Sequence, residues 1–171
     1  MWAPWRKTYL RSSSGKHSGC LFCSLLRDKK DKRNLVLFRT AHHAVILNRF
    51  PYNNGHLMIV PKRHIAGMCL LNTREKAEFF EVLEKAMGAL TRAMRPQGFN
   101  LGMNIADVAG AGVPDHMHWH IVPRWKGDVN FMPVVAGTKV ISESLESAYE
   151  VLSHALASRA RSGRRVSRRK K

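Results

Sequence analysis

His116-Met117-His118-Trp119-His120-Ile121-Val122-Pro123-Arg124 is the stretch that decides how this 171-residue chain folds. Histidines alternate with large apolar residues through its first half. In a β-strand, side chains at i, i+2 and i+4 line one face, so the three histidines share a face. Met117, Trp119 and Ile121 then point the other way, into a core. Groups with an unperturbed pKa of about 6.5 serve near neutrality as nucleophile, proton donor or metal ligand. Three readings stay open at this point. One is a solvated strand face, and another is a three-His metal site with an open position. The third is covalent catalysis, with the middle imidazole attacking an electrophile.

Working outward, a glycine-rich loop from Ala109 to Asp115 leads into this strand. Before the loop, Phe99 to Asn104 reads as a strand, with Phe99, Leu101 and Met103 on one side and Asn100 and Asn104 on the other. Arg74 to Arg95 is the clearest helix: Phe80, Leu83, Met87, Leu90 and Met94 step by three and four as one apolar stripe. Asn72 or Thr73 caps its start, and Pro96 and Gly98 end it. Leu35–Phe38, Ala44–Leu47 and His56–Val60 are short apolar runs suited to strands, the last stopped by Pro61. The turn formers Pro51 to Gly55 lie between the second and third of these. A second helix is predicted over Ser144–Ser158, with Leu145, Tyr149, Leu152 and Leu156 buried. Strands joined by turns, plus two helices, imply an α+β fold with an antiparallel sheet of about five strands.

The length suits a single domain, residues 1–158, that begins with an arm anchored by Trp2 and Trp5. No apolar stretch approaches 18 residues, so no transmembrane helix is predicted. Nor does the start read as a secretory signal. Three cysteines make a poor disulfide framework, and Cys20 and Cys23 have metal-ligand or redox spacing. A reducing cytoplasm is the simplest setting. The formal net charge is +17, concentrated in residues 159–171, where eight of thirteen side chains are Arg or Lys. Such a block repels itself and is predicted to be a disordered tail, a solvated appendage or a non-specific contact for nucleic acid.

The segment Asn104–Arg124 resembles the histidine triad family of nucleotide hydrolases and transferases, whose signature stands here as His116-Met-His118-Trp-His120-Ile-Val. Asn48 to Pro61 is similar to that family's nucleoside-binding strand pair. Trp2 to Arg6, Gly110 to Asp115 and Val122 to Pro133 resemble more narrowly a bacterial branch acting on diadenosine tetraphosphate, some members as phosphorylases. The resemblance implies that His118 attacks an α-phosphorus while His116, His120 and His56 handle charge and protons. It implies that Asn48 lies near the ribose, that Asn104 lies near the scissile phosphate, and that Gly110, Ala111 and Gly112 cradle phosphate oxygens. Ala111 stands where hydrolase members carry Gln, which leaves water and inorganic phosphate both open as second acceptor.

Cys20, Cys23, His64 and His116 match the ligands of a structural zinc found in some relatives, and a Cys2His2 set suits tetrahedral Zn²⁺. A divalent cation can also arrive with the substrate's phosphates. Relatives are mostly homodimers, which implies one here. Two enzymatic alternatives are an adenylate-removing nucleic-acid processing enzyme and a nucleoside phosphoramidase. A non-enzymatic nucleotide-binding or zinc-binding module is the remaining one.

Overall fold

A computed structural model describes residues 19–128 and 143–167, with side chains to Ser158. The expected amino-terminal arm, the Val129–Pro133 end of the branch motif and the last four residues of the basic tail lie outside the described residues. The α+β expectation holds. Five antiparallel strands form one sheet in the order β1-β2-β3-β5-β4. They are β1 (Val36–Arg39), β2 (His43–Leu47), β3 (Leu57–Pro61), β4 (Gly98–Gly102) and β5 (Trp119–Arg124). Helix α1 (Leu21–Arg27) precedes the sheet, α2 (Thr73–Met94) joins β3 to β4, and α3 (Leu145–Ser167) follows β5.

Every residue of β2 and β3 is buried. Such unbroken apolar runs belong to central strands covered on both faces. Register shows which face meets what. Ile46 lies opposite Met58, and Met58 opposite His120, so these three share a face. Val45, Ile59 and Trp119 share the other. Trp119 packs on Phe79 of α2 with ring centroids 4.1 Å apart, so the long helix covers that second face. α3 packs against α2 and reaches β1, where Tyr149 Oη donates to the Val36 carbonyl at 3.0 Å.

Helix α2 starts at a complete capping box. The Asn72 side chain accepts from Glu75 N–H at 3.0 Å, and Glu75 accepts from Asn72 N–H at 2.8 Å. Its buried face differs from the predicted stripe by one residue at the start. Phe79, Val82, Ala86, Ala89 and Leu90 are buried, whereas Phe80 is 69% exposed. Two adjacent aromatics fit the same period, and small alanines escape a pattern search built on large residues.

Two further differences concern ends. β5 begins at Trp119, not at His116, because Met117 N–H leaves the sheet to donate to the Ile65 carbonyl at 2.7 Å. The backbone of α3 continues to Ser167, so the first nine residues of the predicted disordered tail, 159–167, are helical. Arg and Ala are good helix formers, and here they extend a helix already nucleated on the core.

Candidate active site and metal centre

Four sequence-predicted histidines meet on the sheet face away from α2, or at its rim. His118 stands one residue before β5. Its Nδ1 lies 3.0 Å from the His116 carbonyl oxygen. A carbonyl can only accept, so Nδ1 carries the proton and Nε2 carries the lone pair. Burial pushes the His118 imidazole below its ordinary pKa, the carbonyl bond partly opposing this, so the ring is neutral at pH 7. Phe22 of α1 packs against it at 4.9 Å, and the His120 ring stands edge-on at 5.0 Å.

His56 and His120 form a directed chain. Tyr52 N–H donates to His56 Nδ1 at 3.0 Å, and a backbone N–H can only donate. His56 Nδ1 is therefore an acceptor and its proton lies on Nε2, which is 2.9 Å from His120 Nδ1. His120 accepts there and holds its own proton on Nε2. Asn48 sits beside this chain. Its Oδ1 accepts from Phe50 N–H at 3.0 Å, which turns Nδ2 toward His56 Nδ1 at 3.3 Å. The Tyr52 ring lies over both histidines, 4.6 Å from His56 and 5.6 Å from His120.

His116, next to these histidines, turns its ring nitrogens to a second group. Its Nε2 donates to the Pro61 carbonyl at 2.8 Å, which leaves the lone pair on Nδ1. That nitrogen is 3.2 Å from Cys20 Sγ, 3.6 Å from Cys23 Sγ and 3.3 Å from His64 Nδ1. Cys23 Sγ lies 3.5 Å from His64 Nδ1. All four ligand atoms fall within 4.8 Å of one another. A tetrahedral zinc with bonds of about 2.3 Å to sulfur and about 2.05 Å to nitrogen separates S from N by about 3.6 Å and N from N by about 3.3 Å. The observed spacings fit that ion. The Pro61 carbonyl supplies the outer hydrogen bond that orients a metal-bound imidazole. Both nitrogens of His116 are thus engaged here. Phe22 meets both His116 and His118, at 5.5 and 4.9 Å, and His118 meets His120 at 5.0 Å, so the three rings stay on one side as expected, although the ladder begins only at Trp119.

The glycine-rich loop is also more self-contained than expected. Gly110 N–H donates to the Asp107 carbonyl at 2.7 Å, and Ala111 N–H to the Ala106 carbonyl at 3.2 Å. Two of the three predicted backbone donors are spent inside the loop. Asn104 Nδ2 donates to the Gly110 carbonyl at 3.4 Å, bracing the loop. Ala106 itself has φ +65°, a left-handed conformation that favours glycine. Sequence reasoning missed Phe22, Tyr52 N–H and the Pro61 carbonyl. Two of these are backbone groups, which carry no side-chain signature. Phe22 was within reach, because it lies between the two cysteines.

A five-stranded antiparallel sheet that presents alternating histidines beside a histidine of the next strand defines a histidine-triad protein. The HIT domain pattern matches residues 29–127. The AP-4-A phosphorylase of Mycobacterium tuberculosis is 35% identical over 159 residues, covering 90% of this chain and 82% of that one. An adenosine 5′-monophosphoramidase of Schizosaccharomyces pombe is 31% identical over 105 residues, covering 61% and 74%. Among solved structures, a Zn-bound histidine triad family protein from Mycobacterium smegmatis superposes with a TM-score of 0.67 at 21% identity, covering 84% of this chain and 97% of that one. The chain belongs to the HIT family.

Proposed function

We propose that this HIT-family enzyme cleaves dinucleoside polyphosphates, diadenosine tetraphosphate foremost, through a nucleotide bonded covalently to His118. The observation that carries the reading is the His118–His116 carbonyl bond at 3.0 Å, which bares the Nε2 lone pair of a buried neutral imidazole. That lone pair attacks the α-phosphorus, a P–N bond forms, and the P–O bond to the departing nucleotide breaks. His120 holds a proton on Nε2 and donates it toward a phosphoryl or leaving oxygen. In the second step an oxygen of water or inorganic phosphate attacks the same phosphorus, and the P–N electron pair returns to Nε2. The name of the 35% identical mycobacterial relative supports phosphate as acceptor. Any divalent cation would arrive with the substrate's phosphates.

Cys20, Cys23, His64 and His116 would hold a structural zinc, and the bound ion would cross-link α1 to the approach of β5. We also propose a homodimer. β4 is an edge strand with Leu101 47% exposed, a surface that pairing with a second copy would cover.

The test is product analysis of diadenosine tetraphosphate incubated with and without phosphate, His118→Ala alongside. ADP plus ATP formed only with phosphate supports phosphorolysis. AMP plus ATP in both conditions supports hydrolysis. No turnover in either overturns the substrate.

A further inference from the structure

Cys20 caps helix α1 and Cys23 lies in its first turn, where Ser24 N–H donates to the Cys20 carbonyl at 3.0 Å. A rise of about 1.5 Å per residue and a Cα radius of about 2.3 Å put helical residues three apart at about 5 Å. A disulfide bridges Cα separations of about 4.4–6.8 Å. The two sulfurs already lie within 4.8 Å of each other. Both cysteines are half-buried and His64 beside them is exposed, so a small solute reaches the sulfurs. The same sulfurs face His116 Nδ1 at 3.2 and 3.6 Å, and Cys23 faces His64 Nδ1 at 3.5 Å. They therefore have two exclusive uses, as metal ligands or as partners of each other. Zinc takes the thiolate, and a disulfide sulfur has no such charge to offer.

We propose that Cys20 and Cys23 are a reversible oxidation site, at which a hydroperoxide closes a disulfide that excludes the metal and disarms His118. One thiolate attacks a peroxide oxygen. An S–O bond forms, the O–O bond breaks, and the departing hydroxide takes a proton and leaves as water. The second thiol attacks the sulfenic sulfur, an S–S bond forms, the S–O bond breaks and a second water leaves. Two thiols lose two electrons, and one hydrogen peroxide is reduced to two waters. A dithiol reverses the change by exchange. Disulfides in reducing compartments are usually of this transient, sensing kind. Phe22, between the two cysteines, carries the change to the catalytic side. It is 3% exposed, and its ring meets His116 at 5.5 Å and His118 at 4.9 Å. The His116 carbonyl in turn accepts from His118 Nδ1 at 3.0 Å. Closing the disulfide draws both sulfurs off His116 Nδ1 and leaves that ring on the Pro61 carbonyl. The aromatic wall and the acceptor that hold His118 each lose a support.

The loss of activity rests on the reading of His118 given above, but the disulfide and the exclusion of metal do not. The experiment uses the full chain with Cys69→Ser, which removes the third thiol, exposed and outside the metal set. The protein is loaded with zinc, treated with hydrogen peroxide, and then given dithiothreitol and fresh zinc. Released zinc is read with a chromophoric chelator, the modification by mass and peptide mapping, and turnover on diadenosine tetraphosphate. The expected result is a loss of two hydrogens mapped to Cys20 and Cys23, with one zinc released per disulfide. A misplacement of about 1 Å at a reacting group costs about 10²-fold, so kcat is expected to fall by about 10–10²-fold and to return with dithiothreitol and zinc. Zinc released with both thiols still titratable, or oxidation to sulfinic acid without a disulfide, overturns the proposal whatever the substrate. So does a chain that holds no zinc before oxidation or keeps it afterwards. A disulfide that leaves kcat within about twofold overturns the link to His118. If diadenosine tetraphosphate is not turned over at all, the substrate reading fails, and the mass and zinc measurements still decide the oxidation site.

Discussion

Replacing Glu75 by alanine tests whether the connection between β3 and α2 holds the metal centre in place. The Glu75 carboxylate is 2% exposed and accepts three hydrogen bonds. Arg63 Nε and Nη2 reach it at 2.6 and 2.8 Å, and Asn72 N–H at 2.8 Å. Arg63 also donates to the Leu70 carbonyl at 2.6 Å, so one carboxylate ties together residues 63 to 75, the segment that carries His64. Loss of the capping contact is worth about 1 kcal/mol. A charge-assisted bond adds about 1.5–3 kcal/mol, and the lower end applies because Arg63 is half exposed and recovers water. The sum is about 2.5 kcal/mol. It corresponds to a fall of roughly 5–10 °C in Tm for a chain of this size.

The pH dependence has a fixed sign. Arg63 beside it pulls the Glu75 carboxyl down from its ordinary 4.5 to about 2. The folded value lies below the unfolded one, so the contribution is complete above about pH 4.5. It is lost as pH falls through about 2. Urea unfolding of wild type and Glu75→Ala, compared from pH 7 to pH 2.5, reads the difference directly. A zinc lost on acidification is lost from both proteins and cancels in that difference. Zinc affinity is expected to fall in the variant, because Glu75 holds Arg63 beside His64. A difference under 1 kcal/mol, or one that stays constant over this pH range, refutes the reasoning.

The metal centre itself gives a second expectation. The purified chain takes up one zinc, measured by atomic absorption, and Cys20→Ser or Cys23→Ser abolishes it. At free zinc 1,000-fold above Kd the ion adds about 4 kcal/mol, so a chelator lowers the wild-type Tm by roughly 8–16 °C and leaves the variants unmoved. Gly55 has φ +69°, and a Cβ there would lie 2.6 Å from Met94 Sδ, so Gly55→Ala is expected to cost about 2–3 kcal/mol in urea unfolding. Ala106, at φ +65°, gives the opposite result. Ala106→Gly relieves strain and, after the entropy of the added glycine, raises stability by about 0.5–1 kcal/mol in the same assay.

The sheet was legible because β2 and β3 are nearly unbroken apolar runs, and the start of the long helix because Asn72 and Thr73 both suit a cap. The four residues of the metal cluster were legible only as a matched set. Spacing alone joins Cys20 to Cys23, and nothing local joins either to His64 or His116. What the sequence hid has physical causes. α1 is two turns long, too short to show a period. The alanines of the α2 face carry little apolar weight, so Phe80 was taken for Phe79. The N–H groups of Gly110 and Ala111 were expected to meet phosphate. Closing their own turn satisfies the same donors without a ligand, and no side-chain pattern distinguishes the two uses.

His116 shows what strict alternation does not reveal. Alternation puts three imidazoles on one side, and the ring contacts through Phe22 and His118 agree. The first of the three serves in two ways at once. Its ring is held by the Pro61 carbonyl and turned to the cysteines, while its own carbonyl receives the proton of His118. β5 starts only at Trp119, where Met117 N–H has already turned to the Ile65 carbonyl. One residue thus serves two sites: its ring faces the cysteines, and its carbonyl holds the His118 proton on Nδ1 and leaves the Nε2 lone pair for chemistry.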